Sequence, residues 1–232
     1  MTTHLVKHQK LTKRQIKEDP LVTAAFRGAA LWEEHGRKIL LAVGGIALVV
    51  VLAVLMLRAR GQAEDRAAGD LFKAQMAVQQ GDYASSVQML KELIDSAPGT
   101  NAAKRGMVLL GDSYVGQGNP TEAATWYRKA LDQSGGNHVV RDAGRSGLAT
   151  ALEDSHQYPA AADAYAQMAK DAPTDNDRGN AMLAQARCLL AAGQRASAVE
   201  VLRRILTLPG VDQTVTDPAK ARLGELQPLP GR

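Results

Sequence analysis

The chain has one cysteine, nine aromatic residues and five histidines in 232 positions, and each scarcity closes a class of function. A lone thiol forms no intramolecular disulfide, and Cys188, in the helical context AQARCLLAAG, reads as a small buried hydrophobe rather than a nucleophile. Because it does not follow a signal sequence, a lipidated cysteine is excluded as an anchor. His4, His8, His35, His138 and His156 complete no HExxH, and neither GxSxG nor GxxxxGK[ST] occurs. His4 and His8 lack further ligands, so no metal site is expected. Gly116-x-Gly118 falls where a helix ends and needs a turn, not where a phosphate would be cradled. The sequence therefore predicts no catalytic residue, no metal and no cofactor.

Excess charge is also missing from most of the chain. There are 28 basic and 24 acidic residues, and eight of the basic and four of the acidic ones lie in residues 1–38, leaving 20 against 20 elsewhere. The pI of 9.2 thus reflects one basic arm, and no nucleic-acid partner is expected.

Against this background one segment stands out. From Ile39 to Leu57 there are 19 consecutive uncharged residues, 13 of them Leu, Ile or Val. As a helix they reach roughly 28 Å, close to the thickness of a bilayer's hydrocarbon. Their transfer favours insertion by on the order of several kcal/mol, which a soluble core helix would not require. A cleaved signal fits poorly: the preceding head is 38 residues long, and the exit LRARGQAED places arginines before the loose candidate Gly61-Gln62-Ala63. Residues 39–57 are therefore read as a transmembrane signal-anchor helix. The basic arm is expected to stay in the cytoplasm and residues 58–232 to be exported, although Arg58, Arg60 and Arg66 reduce the charge contrast. No GxxxG lies in the span, so nothing there signals helix dimerisation.

Within the arm, Asp19 can cap and Pro20 can start a helix whose one face carries Leu21, Val22, Ala25, Phe26, Ala29 and Trp32. Such a face suits the headgroup region; a short helix without membrane contact, or a disordered arm, is the alternative.

Beyond the span, alanine is abundant and no run alternates like a strand, which predicts an all-α domain over residues 58–227. The stretch LLGDSYVGQGNPTEAATWYRKAL reproduces tetratricopeptide-repeat spacing at Leu110, Gly111, Tyr114, Gly118, Ala123, Tyr127 and Ala130. Weaker copies carry Gly81, Tyr83, Leu90 and Pro98; Tyr158, Ala161, Tyr165 and Pro173; and Gly193, Ala198, Leu202 and Ile205. The turn positions Gly81, Gly118, His156 and Gly193 are 37, 38 and 37 residues apart, against about 34 for a standard unit. Longer loops such as SGGNH and APTDND would absorb the difference. His156 implies either a turn that needs no positive φ or a small strain.

These features predict an α-solenoid of about four helical hairpins, because no hairpin buries its apolar face alone. Glu64 to Gln80 supplies the first leading helix, and no proline and only Gly61 and Gly69 interrupt the stretch that joins it to the span. At the other end Thr216 or Asp217 can cap, Pro218 can start and AKARLGEL can form a capping helix, with residues 228–232 frayed.

A basic arm, one uncleaved span and an exported repeat domain together resemble the bacterial YfgM-like proteins, accessory subunits found beside the Sec translocon with periplasmic chaperones. The resemblance covers most of residues 11–210 in architecture and implies a single-pass inner-membrane protein with its N-terminus cytoplasmic and its repeats periplasmic. The implied partners are translocon subunits, chaperones or exported chains. A tethered scaffold for another complex, in envelope assembly or cell division, is the alternative; an enzyme is not expected, since the repeats supply surfaces without convergent reactive groups.

In tetratricopeptide stacks the leading helices line the binding groove. Carried onto this register, the groove positions are Leu71, Gln75 and Val78, then Arg105, Val108, Asp112 and Val115, then Ser146, Thr150 and Glu153, then Leu183, Arg187 and Leu190. Six of these 13 are Leu or Val, and the two arginines are matched by Asp112 and Glu153. That composition predicts an apolar groove with a polar rim, suited to an extended chain or an amphipathic helix rather than to a clamped terminal carboxylate. The alternative is that these residues pack against neighbouring hairpins or a second copy.

Overall fold

A computed structural model describes the backbone of residues 20–226 and the side chains from Gly36 onward, Ile39 excepted. The expected interfacial face of the arm, the histidine pair His4 and His8, and the tail 228–232 lie outside what is described. Between Ala59 and Arg60 the chain divides into two units.

All regular structure among the described residues is helical. Helix α1 spans Pro20–Gln79, followed by α2 (Tyr83–Ser96), α3 (Asn101–Gly116), α4 (Pro120–Gln133), α5 (His138–Asp154), α6 (Tyr158–Asp171), α7 (Asp175–Ala191), α8 (Arg195–Ile205) and α9 (Gln213–Leu226). In the first unit, an 18-residue window of α1 has a mean hydropathy of 3.1 and no buried residue. Its length and composition suffice to cross a membrane, and its side chains from Leu40 to Leu57 pack into no core.

The second unit is a stack of four hairpins. They are formed by the end of α1 with α2, α3 with α4, α5 with α6, and α7 with α8, and α9 closes the last. Each hairpin turns in the same way. Asp82, Asn119, Gln157 and Gln194 donate their backbone N–H groups to Ala77, Tyr114, Leu152 and Leu189 carbonyls at 2.8–2.9 Å, and the residue before each has positive φ. This is the six-to-one bond of a Schellman closure. Three of those residues are glycine, while His156 takes φ of 61°, so its turn does require the left-handed region and carries the strain of a β-carbon there.

Five of the helix starts are fixed by side-chain caps. Asp82, Thr100, Asn119, Asn137 and Thr174 each accept from a backbone N–H three residues on. The Glu64 carboxylate also reaches from the leading helix of hairpin one to the Asn101 and Ala102 N–H groups at 2.8 Å, adding negative charge at the start of α3.

Two expectations are corrected. The segments between hairpins are only residues 97–100, 134–137 and 172–174, and the Asp-Asn-Asp of APTDND already belongs to α7. The extra residues therefore lengthen leading helices, 17 residues each for α5 and α7, because Asn137 and Thr174 cap them early. The closing helix starts five residues before Pro218, at Gln213. Asp212 holds its first turn by accepting from Thr214 N at 3.1 Å, and Asn176 clasps Asp212 through Nδ2 (2.6 Å) and Oδ1 (3.0 Å).

The core is built from alanine where helices cross and from large residues beside the crossings. Ala123, Ala130, Ala161 and Ala198 are fully buried, as are Leu90, Leu110 and Ile205. The Tyr127 ring lies in the space that Gly111 and Gly147 leave empty: a β-carbon at Gly111 would come within 2.6 Å of the ring, and one at Gly147 closer still. Gripped from both sides, the ring cannot yield. Gly111→Ala is therefore expected to destabilise residues 60–232 by about 1–3 kcal/mol. Gly69→Ala, on the open face of α1 with nothing within 4 Å, is expected to stabilise by about 0.5–1 kcal/mol. Urea unfolding of both variants checks the opposite signs.

Candidate functional site

Leading helices present residues three and four apart on one face, and the stack aligns those faces at steps of 37 or 38 residues. Leu71, Gln75, Arg105, Val108 and Asp112 come together around one recess of about 360 Å³, completed by Leu109 and by Val139, Val140 and Ala143 from α5. Its floor is apolar, with Leu71 and Val140 buried, and its edge carries Gln75, Arg105 and Asp112. Leu183 and Arg187 instead border a second recess of about 190 Å³ with Leu202 and α9 residues Pro218 and Arg222. Val78, Val115, Ser146, Thr150, Glu153 and Leu190 line neither. Ser146 and Thr150 are exposed, and Val78 and Leu190 half-buried. A larger recess, of about 730 Å³ between α5, α6 and α7, contains none of the expected positions.

The polar groups on this face are organised by two tyrosines of the trailing helices. Tyr127 Oη donates to Asp112 Oδ1 at 2.5 Å, and desolvation at the recess wall raises the Asp112 carboxyl above its ordinary range despite that bond. Tyr165 Oη donates to Glu153 Oε2 at 3.1 Å, and Thr150 Oγ1 lies 3.5 Å from the same hydroxyl. Arg187, from the next hairpin, places Nε and Nη2 at 2.6 and 2.8 Å from the two Glu153 oxygens. This bidentate pair holds Glu153 below its ordinary range. Arg187 is therefore committed within the chain. Cys188 beside it is buried, and that burial pushes its thiol up to about 11, so it stays protonated and packs as a small apolar residue.

The α5 residues were not anticipated, although a signal for one exists: a 38-residue step from Arg105 lands on Ala143. Val139 and Val140 follow directly on the Asn137 cap, and their place in the recess depends on where α5 begins. The tyrosine hydroxyls had no such signal, since the repeat pattern accounts for their rings alone.

The model of the tetratricopeptide-repeat family matches residues 71–138 and 146–211. Among solved structures, the nearly identical TPR-like repeats of a Podosopora anserina protein described as a kinesin light chain superpose with a TM-score of 0.56 at 18% identity, covering 70% of this chain and 86% of that one. The ArsTM double mutant of MamA RS-1 gives a TM-score of 0.52 at 15% identity, covering 70% and 94%. At such identities the likeness concerns the fold. A comparison with curated proteins finds no match.

The two carboxylates titrate in opposite senses. Glu153 is depressed, so its contribution is present above the ordinary glutamate range and is lost as pH falls through its folded value. Asp112 is raised, so it costs stability at neutral pH and the cost disappears on acidification. Glu153→Gln is expected to lower stability at pH 7 by at most about 1 kcal/mol, because water screens a pair whose Arg187 side chain is 56% exposed. Asp112→Asn is expected to raise it. Chemical unfolding at pH 7 and at pH 3.5 checks both signs, with both differences shrinking in acid.

Proposed function

The chain belongs to the tetratricopeptide-repeat family, and from that premise we propose that it is a membrane-tethered adaptor that engages protein partners on the exported face of the membrane. Tetratricopeptide repeats are protein-interaction modules, built from stacked surfaces rather than from converging reactive groups. The observation that carries the proposal is the joining, in one chain, of such a module to a 19-residue uncharged helical segment with no buried side chain in its apolar window.

In this reading residues 39–57 span the inner membrane once, residues 1–38 remain in the cytoplasm as a basic arm, and residues 58–227 lie in the periplasm. The eight basic residues of the arm favour that orientation. Partners bind along the leading helices, chiefly in the recess between Leu71, Val108 and Asp112, with Leu183 marking a second contact. The same order of arm, span and repeats in YfgM-like proteins supports translocon subunits, periplasmic chaperones or exported chains as those partners. The adaptor would hold them near the exit of the translocon.

In sealed spheroplasts, added protease is expected to digest residues 60–232 and leave a small membrane-held N-terminal fragment; a protected repeat domain with a lost arm would reverse the topology. After mild detergent extraction the full chain is expected to bring down a Sec or chaperone component, and Val108→Glu to lose it with little change in melting temperature. Recovery of an envelope-assembly or division complex instead would reassign the partner.

A further inference from the structure

Two tyrosine–carboxylate pairs stand on the leading-helix face, and the chain neutralises only one of them. At Glu153 the tyrosine hydroxyl approaches one oxygen, and Arg187 from the following hairpin closes on both. At Asp112 the Tyr127 hydroxyl makes the same approach, yet no lysine or arginine among the described residues pairs with the carboxylate. The two pairs are not repeat equivalents: Tyr127 follows Asp112 by 15 residues, whereas Tyr165 follows Glu153 by 12, one helical turn less. Arg187 stands 34 residues after Glu153, and the position 34 after Asp112 is Ser146, which has no charge to offer.

We propose that this recess takes an apolar segment of a partner protein carrying an arginine or lysine, whose cation pairs with Asp112 as Arg187 pairs with Glu153. The inference rests on the recess being the partner site and adds the charge that it reads. Asp112 is exposed at the edge of an otherwise apolar recess, so an occupant that covers it takes the carboxylate out of water, and a cation on that occupant offsets the cost. Arg105 gives the site polarity. It lies two turns before Asp112 on α3, about 10 Å away, and forms no ion pair among the described residues. An extended occupant rises about 3.3 Å per residue, so an acidic residue three positions from the basic one would meet Arg105. Segments with the reverse order of charges are disfavoured.

The test uses the full chain in nanodiscs and three labelled dodecapeptides of alternating Leu and Ser that differ only in a central Arg, Gln or Glu, read by fluorescence anisotropy. The Arg peptide is expected to bind at least tenfold tighter than the Gln peptide. Asp112→Asn, which keeps an acceptor for Tyr127, is expected to erase that preference, and Asp112→Arg to transfer it to the Glu peptide. Ser146→Arg, at the exposed position that stands to Asp112 as Arg187 stands to Glu153, supplies a cation from within and is expected to weaken the Arg peptide at least tenfold. Equal binding of Arg and Gln peptides, both lost in Val108→Glu, would overturn the role of Asp112 while leaving the recess as a partner site. Binding of none of the three by the folded chain would overturn both.

Discussion

The close approach of helices across small residues sets the geometry on which the rest of this molecule depends. Tyr127 can enter the stack only because Gly111 and Gly147 have no side chain, and that insertion fixes α3, α4 and α5 against one another. The same contact aims the tyrosine hydroxyl at Asp112 on the opposite side of the crossing. Packing and surface chemistry are therefore joined through one side chain. Tyr83 against Gly116 and Val215 against Gly179 repeat the device at the two ends of the stack, where α2 and α9 are seated by contacts too short for any other residue.

Stability and openness divide along the chain. Near α7 the leading-helix face is closed by an internal ion pair, and Asn176 and Asp212 fasten the closing helix. Toward α3 it is left with an uncompensated carboxylate and an apolar recess. Because hairpins couple mainly to their neighbours, the closed part can hold the stack together while the open part bears a carboxylate with no cation beside it. A residue that costs stability and lines an opening marks where a chain keeps surface for something else.

Much of this was legible in the residues, and the failures are physical ones. Leu110, Ala123, Tyr127 and Ala130 announce a helical hairpin because a crossing demands small residues at fixed spacing, and all four are buried. Lengths were harder to read. A cap depends on one side chain meeting one N–H, so Thr174 and Asp212 start helices where the sequence also permits a loop, and Pro218 is accommodated within the helix Asp212 begins. Five of the expected groove residues gather in one recess, while Glu153 and Arg187 turn out to satisfy each other. The pairing across hairpins is set by rotation between repeats, which periodicity does not encode. Likewise, the left-handed turn at His156 follows from the Schellman closure and overrides the preference of its residue.

Joined to an apolar helix able to cross a membrane, an open recess on a repeat stack has one central claim: the surface between α1, α3 and α5 is occupied by another protein in the cell. A photoreactive residue at Val139, 49% exposed within the recess, tests this against one at Leu206, 39% exposed at the end of α8. After irradiation of intact cells, Val139 is expected to yield a discrete crosslinked partner that Leu206 does not. Equal crosslinking from both positions, or none from Val139, would contradict the account.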